Sequence, residues 1–147
     1  QLRPYMPHDL QGVEWIAVGS NTFNEAVPFY AHVNATPAYL ANTTGDVTTE
    51  SFYWANRIVA AMADAHYPAC LAHVERYQLA LSTAGHAMLK RFDEQYLAAP
   101  EKDAAAYLTA CNQQLADKAR KLTDDLLSKV LFSASMEMKN GFARSDS

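Results

Sequence analysis

Two regimes of hydrophobic patterning divide the chain. Before residue 48, apolar residues come in short runs bounded by turn formers; beyond it they recur at three- and four-residue intervals. The run Gly12-Val13-Glu14-Trp15-Ile16-Ala17-Val18-Gly19 alternates, setting Val13, Trp15 and Ala17 opposite Glu14, Ile16 and Val18, and predicts a strand. Val27-Pro28-Phe29-Tyr30-Ala31-His32-Val33 predicts a second, reached through a loop at residues 20–26. Proline has no N–H for a ladder, so Pro28 sets this strand at an edge or begins it there. Two strands are not a stable sheet in water. The pattern therefore implies sheet partners that the sequence does not itself supply.

From residue 48 the period is helical. Thr48 or Ser51 caps a helix whose buried positions are Phe52, Ala55, Ile58, Val59 and Met62. Pro68 interrupts it, and since proline fits a first helical turn, a second helix starts near Tyr67. Its stripe is Leu71, Val74, Tyr77 or Gln78, Leu81, Met88, Phe92 and Tyr96, with Gly85 costing about 1 kcal/mol relative to alanine. Pro100 ends it. A third helix carries Ala104, Leu108, Cys111, Leu115, Ala119, Leu122, Leu126, Val130 and Ser133 on one side, close to a heptad seam. Asp117 with Lys121, and Asp125 with Lys129, are acid-first pairs four residues apart. Asn140-Gly141 is the expected C-terminal stop. A short Ala-Ala-Pro link makes the second and third helices an antiparallel hairpin. The fold class expected is α+β and mainly helical: a strand-bearing segment at 1–47 and a helical layer at 48–147.

Composition sharpens this picture. Half of the 147 residues are hydrophobic and 11% are aromatic, enough for a core in one domain-sized chain. Sixteen acidic against twelve basic residues give a net charge of −4, so nothing favours binding to nucleic acid. No apolar run reaches the roughly 20 residues that span a bilayer, and no membrane partner is expected. Residue 1 is Gln, which reads as the interior of a longer polypeptide. Cys70 and Cys111 are two cysteines, too few for a disulfide framework, and are expected as buried thiols in the cytoplasm. The sequons at Asn34 and Asn42 are then chance matches.

Candidate chemistry is sparse. His66, Cys70 and His73 have a spacing that one helix face could offer to zinc, but Pro68 puts His66 ahead of the first full turn, and no fourth ligand lies nearby. No metal site is predicted. Ser20 lies after a strand between Gly19 and Asn21, yet Gly-x-Ser-x-Gly is missing. Asp64-Ala65-His66 could orient an imidazole, with Glu14 as a third group, but reads more simply as a charged helix end. The run Phe52-Tyr53-Trp54 before Asn56-Arg57 suits an interface, and Arg57 beside Tyr53 suits a carboxylate. These residues alone make no complete catalytic machine. A helical protein-interaction module that docks through the aromatic run is the alternative they allow.

Several segments, in order, resemble one family: Arg3-Pro4-Tyr5, Gly12-Val13-Glu14-Trp15, Val27-Pro28-Phe29-Tyr30, Phe52-Tyr53-Trp54-Ala55-Asn56-Arg57 with Ala60-Ala61-Met62-Ala63-Asp64-Ala65-His66, Leu122-Thr123-Asp124-Asp125 through Val130-Leu131, and Met138-Lys139-Asn140-Gly141-Phe142 with Arg144-Ser145-Asp146. They resemble the C-terminal part of the bacterial cysteine dipeptidases of the N-terminal-nucleophile hydrolase superfamily, relatives of the secernins. The resemblance implies a four-layer αββα sandwich in the parent, no cofactor, and hydrolysis of dipeptides by a cysteine at the mature N-terminus whose α-amino group is the base. Gln1 departs from that pattern, and neither Cys70 nor Cys111 can fill the role. The expectation is therefore a C-terminal portion, inactive by itself, whose partners are the N-terminal catalytic portion and a dipeptide; self-association is left open. No catalytic residue is assigned. Ser20, Asn21 and Asn24, on the loop after the first strand, and Arg57 are the candidate substrate-binding residues.

Overall fold

The computed structural model describes residues 1–138. Strand β1 (Val13–Ile16) pairs antiparallel with β2 (Val27–Tyr30), Val13 facing Tyr30 and Ile16 facing Val27. Both strands are shorter than the alternating runs, and a turn of 3-10 helix at His8–Leu10 precedes them. All four β2 residues are buried. Four helices follow: α1 (Ala38–Ala41), α2 (Phe52–Ala65), α3 (Tyr67–Ala98) and α4 (Ala104–Met136). The short α1 was not legible in the periodicity.

The chain supplies some of what the two strands lack. The backbone of Gln1 exchanges two hydrogen bonds with Val13, at 2.7 and 3.0 Å, and Leu2 bridges Gly12, lengthening the sheet on the β1 side. On the β2 side, the Tyr30 N–H donates to Asn112 Oδ1 at 2.8 Å and Asn112 Nδ2 donates back to the Tyr30 carbonyl at 3.0 Å. One buried carboxamide thus does for Tyr30 what a neighbouring strand would do, and leaves neither backbone group stranded. The expectation that every sheet partner lies outside the sequence is corrected to that extent.

Ser51 is the N-cap of α2: its Oγ accepts the Trp54 N–H at 3.3 Å and donates to the Asn42 carbonyl at 2.8 Å. Phe52, Ala55 and Val59 are buried as the stripe predicts, while Ile58 and Met62 are half-buried and Asn56 and Ala63 fill the face. Pro68 sits in the first turn of α3, where its missing N–H is no loss. Helices α3 and α4, 32 and 33 residues long, form the expected hairpin and pack on β2, with α2 against both.

Along α4 six of the nine positions of the predicted stripe are buried: Leu108, Cys111, Leu115, Ala119, Leu126 and Val130. Ala104, Leu122 and Ser133 are half-buried, and Thr123 and Ala134 take the interior. The cause is geometric. A straight helix drifts about 20° per heptad against a seven-residue repeat, so Leu122 has turned about 40° away from the line of Leu108, whereas Leu126, five whole turns on, lies in that line and is buried. Asp125 and Lys129 pair at 2.8 Å, whereas Asp117 accepts from Gln113 Nε2 at 2.9 Å. The described helix ends at Met136, with the Glu137 N–H bonding the Ala134 carbonyl. The expected stop at Asn140-Gly141 lies outside the described residues.

Candidate functional site

The β1–β2 loop is held at three points. Gly19 has φ +82°, a conformation that favours glycine, and its α-carbon packs on α2, where an added Cβ would meet the Asn56 Cβ at 3.4 Å. The Ser20 carbonyl accepts from the N–H groups of Phe23 and Asn24 at 3.0 and 3.1 Å, winding one turn. Gln78 on α3 then donates to the carbonyls of Thr22 and Asn24 at 2.9 and 3.0 Å. Phe23 is buried, its ring edge-on to Tyr67.

This fixes what each candidate offers. Ser20 and Asn21 are exposed on the turn. Asn24 is buried, and its Nδ2 donates to the carbonyls of Val18 at 2.9 Å and Gly19 at 3.4 Å, so it holds the loop in shape. Arg57 follows Asn56 on α2 and is exposed. Its guanidinium lies 5.1 Å from the Trp54 ring centre and 5.6 Å from that of Tyr53, and Nη1 donates to the Tyr53 hydroxyl at 3.2 Å. Trp54 is itself pinned by Nε1 donating to the Thr44 carbonyl at 2.6 Å. Among the described residues Arg57 has no carboxylate partner. The aromatic run therefore orients a cation that no carboxylate neutralises among the described residues, with Nη1 engaged by the Tyr53 hydroxyl. The contact of Gly19 with Asn56 brings the loop to the turn of α2 that carries Arg57.

The other candidates separate. His66 Nδ1 lies 2.6 Å from Glu137 Oε2, so its acidic neighbour is the residue that follows α4 and is not Asp64. His73 Nε2 is 3.4 Å from Ser133 Oγ, and Cys70 is fully buried. Among the described residues no group of three His, Cys, Asp or Glu side chains converges as metal ligands do. Burial pushes the Cys70 and Cys111 thiols up. A hollow of about 230 Å³ beside the sheet is lined by Glu14, Ile16, Phe29, Val33 and Leu40, and by none of the four predicted site residues.

Sequence reasoning missed a buried ionic cluster. Arg3 and Asp93 form a two-pronged ion pair at 2.7 and 3.1 Å; Arg3 also donates to the Leu10 carbonyl at 2.6 Å, and the Tyr30 hydroxyl donates to Asp93 at 2.8 Å. Asp93 lies beside Phe92 in the α3 stripe, but its partners are 63 and 90 residues away, beyond any local pattern. Burial alone would lower the Arg3 pKa, and the hydrogen bond and charge of Asp93 more than offset that. The cluster bonds the first residues, β2 and α3 into one body.

A family model described as peptidase family C69 matches residues 1–80. A dipeptidase from Bifidobacterium longum is 39% identical over 184 aligned positions, covering 99% of this chain and 34% of that protein. A probable dipeptidase A from Streptococcus pyogenes is 41% identical over 145 residues, with 99% of this chain and 30% of that protein covered. A probable dipeptidase B from Lactococcus lactis is 33% identical over 146 residues, again 99% and 30%. The chain spans about a third of the length of these relatives. Among the described residues, no helix is long and apolar enough to cross a membrane.

Proposed function

Since the chain belongs to peptidase family C69, we propose that it is the C-terminal part of a cytoplasmic cysteine dipeptidase whose nucleophile lies on polypeptide outside these residues. The observation that carries this reading is the similarity to dipeptidases over 99% of the chain but only 30–34% of their length. In the intact enzyme an N-terminal cysteine loses its proton to its own α-amino group and attacks the dipeptide carbonyl. The amine leaves with a proton, and water cleaves the thioester to release the acid.

The two cysteines present support a nucleophile elsewhere. An attacking thiol is exposed and has a lowered pKa; Cys70 and Cys111 are buried and shifted the other way. On this reading the chain contributes β1 and β2 to one sheet of an αββα sandwich, and α3 and α4 to the layer outside it. Arg57, stacked on Trp54 and free of a carboxylate partner among the described residues, takes the carboxylate of the dipeptide. Ser20 and Asn21 are exposed on the loop that approaches the same turn of α2, and Asn24 holds that loop in shape. The mechanism uses no cofactor.

The test is reconstitution. The chain is purified and mixed with the separately expressed remainder of a protein of the relatives' length, and release of amino acids from dipeptides is followed. Activity in the mixture alone is expected, and Arg57→Gln should raise KM with little change in kcat. Equal activity of the chain by itself, or a formed complex that stays inactive, overturns the reading.

A further inference from the structure

The exposed turn at Ser20, Asn21 and Thr22 hangs between two fixed points. At one end Gly19 packs on Asn56 of α2, the residue before Arg57. At the other end stands Gln78, half-buried on α3. Its Nε2 carries two hydrogens and uses both, on the carbonyls of Thr22 at 2.9 Å and Asn24 at 3.0 Å. Those two carbonyls flank the buried Phe23, so the amide grips the loop on either side of its apolar anchor.

The other hydrogen bonds at this turn close it on itself. Asn24 Nδ2 reaches the carbonyls of Val18 and Gly19, and the N–H groups of Phe23 and Asn24 reach that of Ser20. Among the described residues, Gln78 is thus the hydrogen-bond donor that ties the loop to the helical layer. The bond to Thr22 lies at the surface, where water would satisfy the carbonyl as well. What the amide adds there is position. With Gly19 set on α2 and Thr22 and Asn24 set on α3, Ser20 and Asn21 are held in place relative to Arg57 from both sides.

We propose that Gln78 is a positioning residue of the substrate site: it touches no substrate and acts through the loop, keeping Ser20 and Asn21 in the place where a dipeptide bound at Arg57 meets them. Sites that are fixed before binding hold substrate without first having to order it. The inference rests on the reading of Ser20, Asn21 and Arg57 as substrate-binding residues, and two readouts separate its failure from that of the reading.

The first is hydrogen exchange in the chain by itself, at the Phe23 and Asn24 N–H groups that bond the Ser20 carbonyl. Gln78→Met is close in size and has no donor, and Gln78→Glu is an isostere that only accepts. Both are expected to speed this exchange at least about tenfold with helical circular dichroism unchanged. Gln78→Lys, whose ammonium donates to both carbonyls, is expected to restore protection. The second readout is the reconstituted enzyme. There Gln78→Met and Gln78→Glu should raise KM for dipeptides at least about fivefold with little change in kcat, and Gln78→Lys should recover most of the loss. Unchanged exchange in Gln78→Met and Gln78→Glu overturns the proposal whatever the enzyme does. Faster exchange with KM unchanged overturns it too, and the dipeptidase reading then stands if Arg57→Gln still raises KM. If Arg57→Gln also leaves KM unchanged, the reading of the site fails and takes the proposal with it.

Discussion

A methyl group on Gly85 would stand 2.9 Å from Cδ of Pro28, closer than side-chain carbons approach one another. The strand and the helix therefore meet at a position where neither has a movable part. Pro28 is held by its ring and by the β1–β2 ladder, and Gly85 is central in a 32-residue helix. From sequence alone, Gly85 is a defect costing about 1 kcal/mol; in the fold it is the seat of the proline ring. Gly85→Ala should accordingly destabilise, by about 1–3 kcal/mol, although alanine is the better helix former. Pro28→Ala in the same background should recover most of that loss. Denaturant melts of the two single variants and the double decide it; a Gly85→Ala protein more stable than wild type would show that strand and helix do not touch as described.

The drift of the α4 seam separates residues that a heptad treats alike. Leu115 is 1% exposed, Leu122 is half-buried, and Asp117 faces water. Leu115→Ala should cost about 2–5 kcal/mol, because it removes transfer energy and leaves a cavity. Leu122→Ala should cost about 1 kcal/mol, since its side chain is only half-buried. Asp117→Ala should cost under about 0.5 kcal/mol. Equal losses at Leu115 and Leu122 in chemical denaturation would mean that the helix keeps the heptad phase.

What could be read in advance was local. The strand at Val13 and Trp15, the cap at Ser51, the placement of Pro68 and the hairpin all follow from neighbours in sequence and are present in the fold, although Trp15 and Ile16, set on opposite faces by the alternation, are both half-buried. The Asn112 bond to Tyr30 and the Arg3–Asp93 pair could not be read, because a buried polar side chain looks like a solvated one until the distant partner is known. Asn112 and Asp93 each sit next to a predicted core position, Cys111 and Phe92, and that is the only trace they leave. The candidate site divides in the same way. Tyr53, Trp54 and Arg57 are one helical turn and were legible together, whereas the anchoring of Asn24 by Gln78 joins residues 54 apart.

The Arg3–Asp93 pair sets a test of coupling. Both side chains are almost wholly out of water, so removing one strands the other's charge. Arg3→Met or Asp93→Leu alone should cost about 3–5 kcal/mol. The double variant should be much less damaged than the sum, since no uncompensated charge remains and the Tyr30 hydroxyl keeps the Leu89 carbonyl at 3.3 Å. Additive losses in a double-mutant cycle would place the pair in contact with solvent.

Four phenols, three buried and Tyr107 half-buried, give the chain an alkaline limit. Burial is the first cause in each case: it pushes Tyr77 and Tyr107 up to about 12 from 10.0 and moves Tyr30 and Tyr39 in the same direction. At Tyr30 the hydrogen bond to Asp93 adds to it. A raised pKa means that the folded state holds a proton the unfolded state would release. Below pH 10 both states are neutral and the stabilisation is complete; from there it is lost continuously as pH climbs toward the folded values. Each such group contributes a slope of about 1.4 kcal/mol per pH unit in that window. Helical circular dichroism should therefore hold to about pH 10 and collapse by about pH 12, with phenolate absorbance rising in the same transition. Tyr77→Phe lowers stability at neutral pH by leaving Thr123 without its partner, yet it should flatten the alkaline slope by one group's worth. Phenolate absorbance complete near pH 10 with the helical signal intact would show that these four rings are open to solvent.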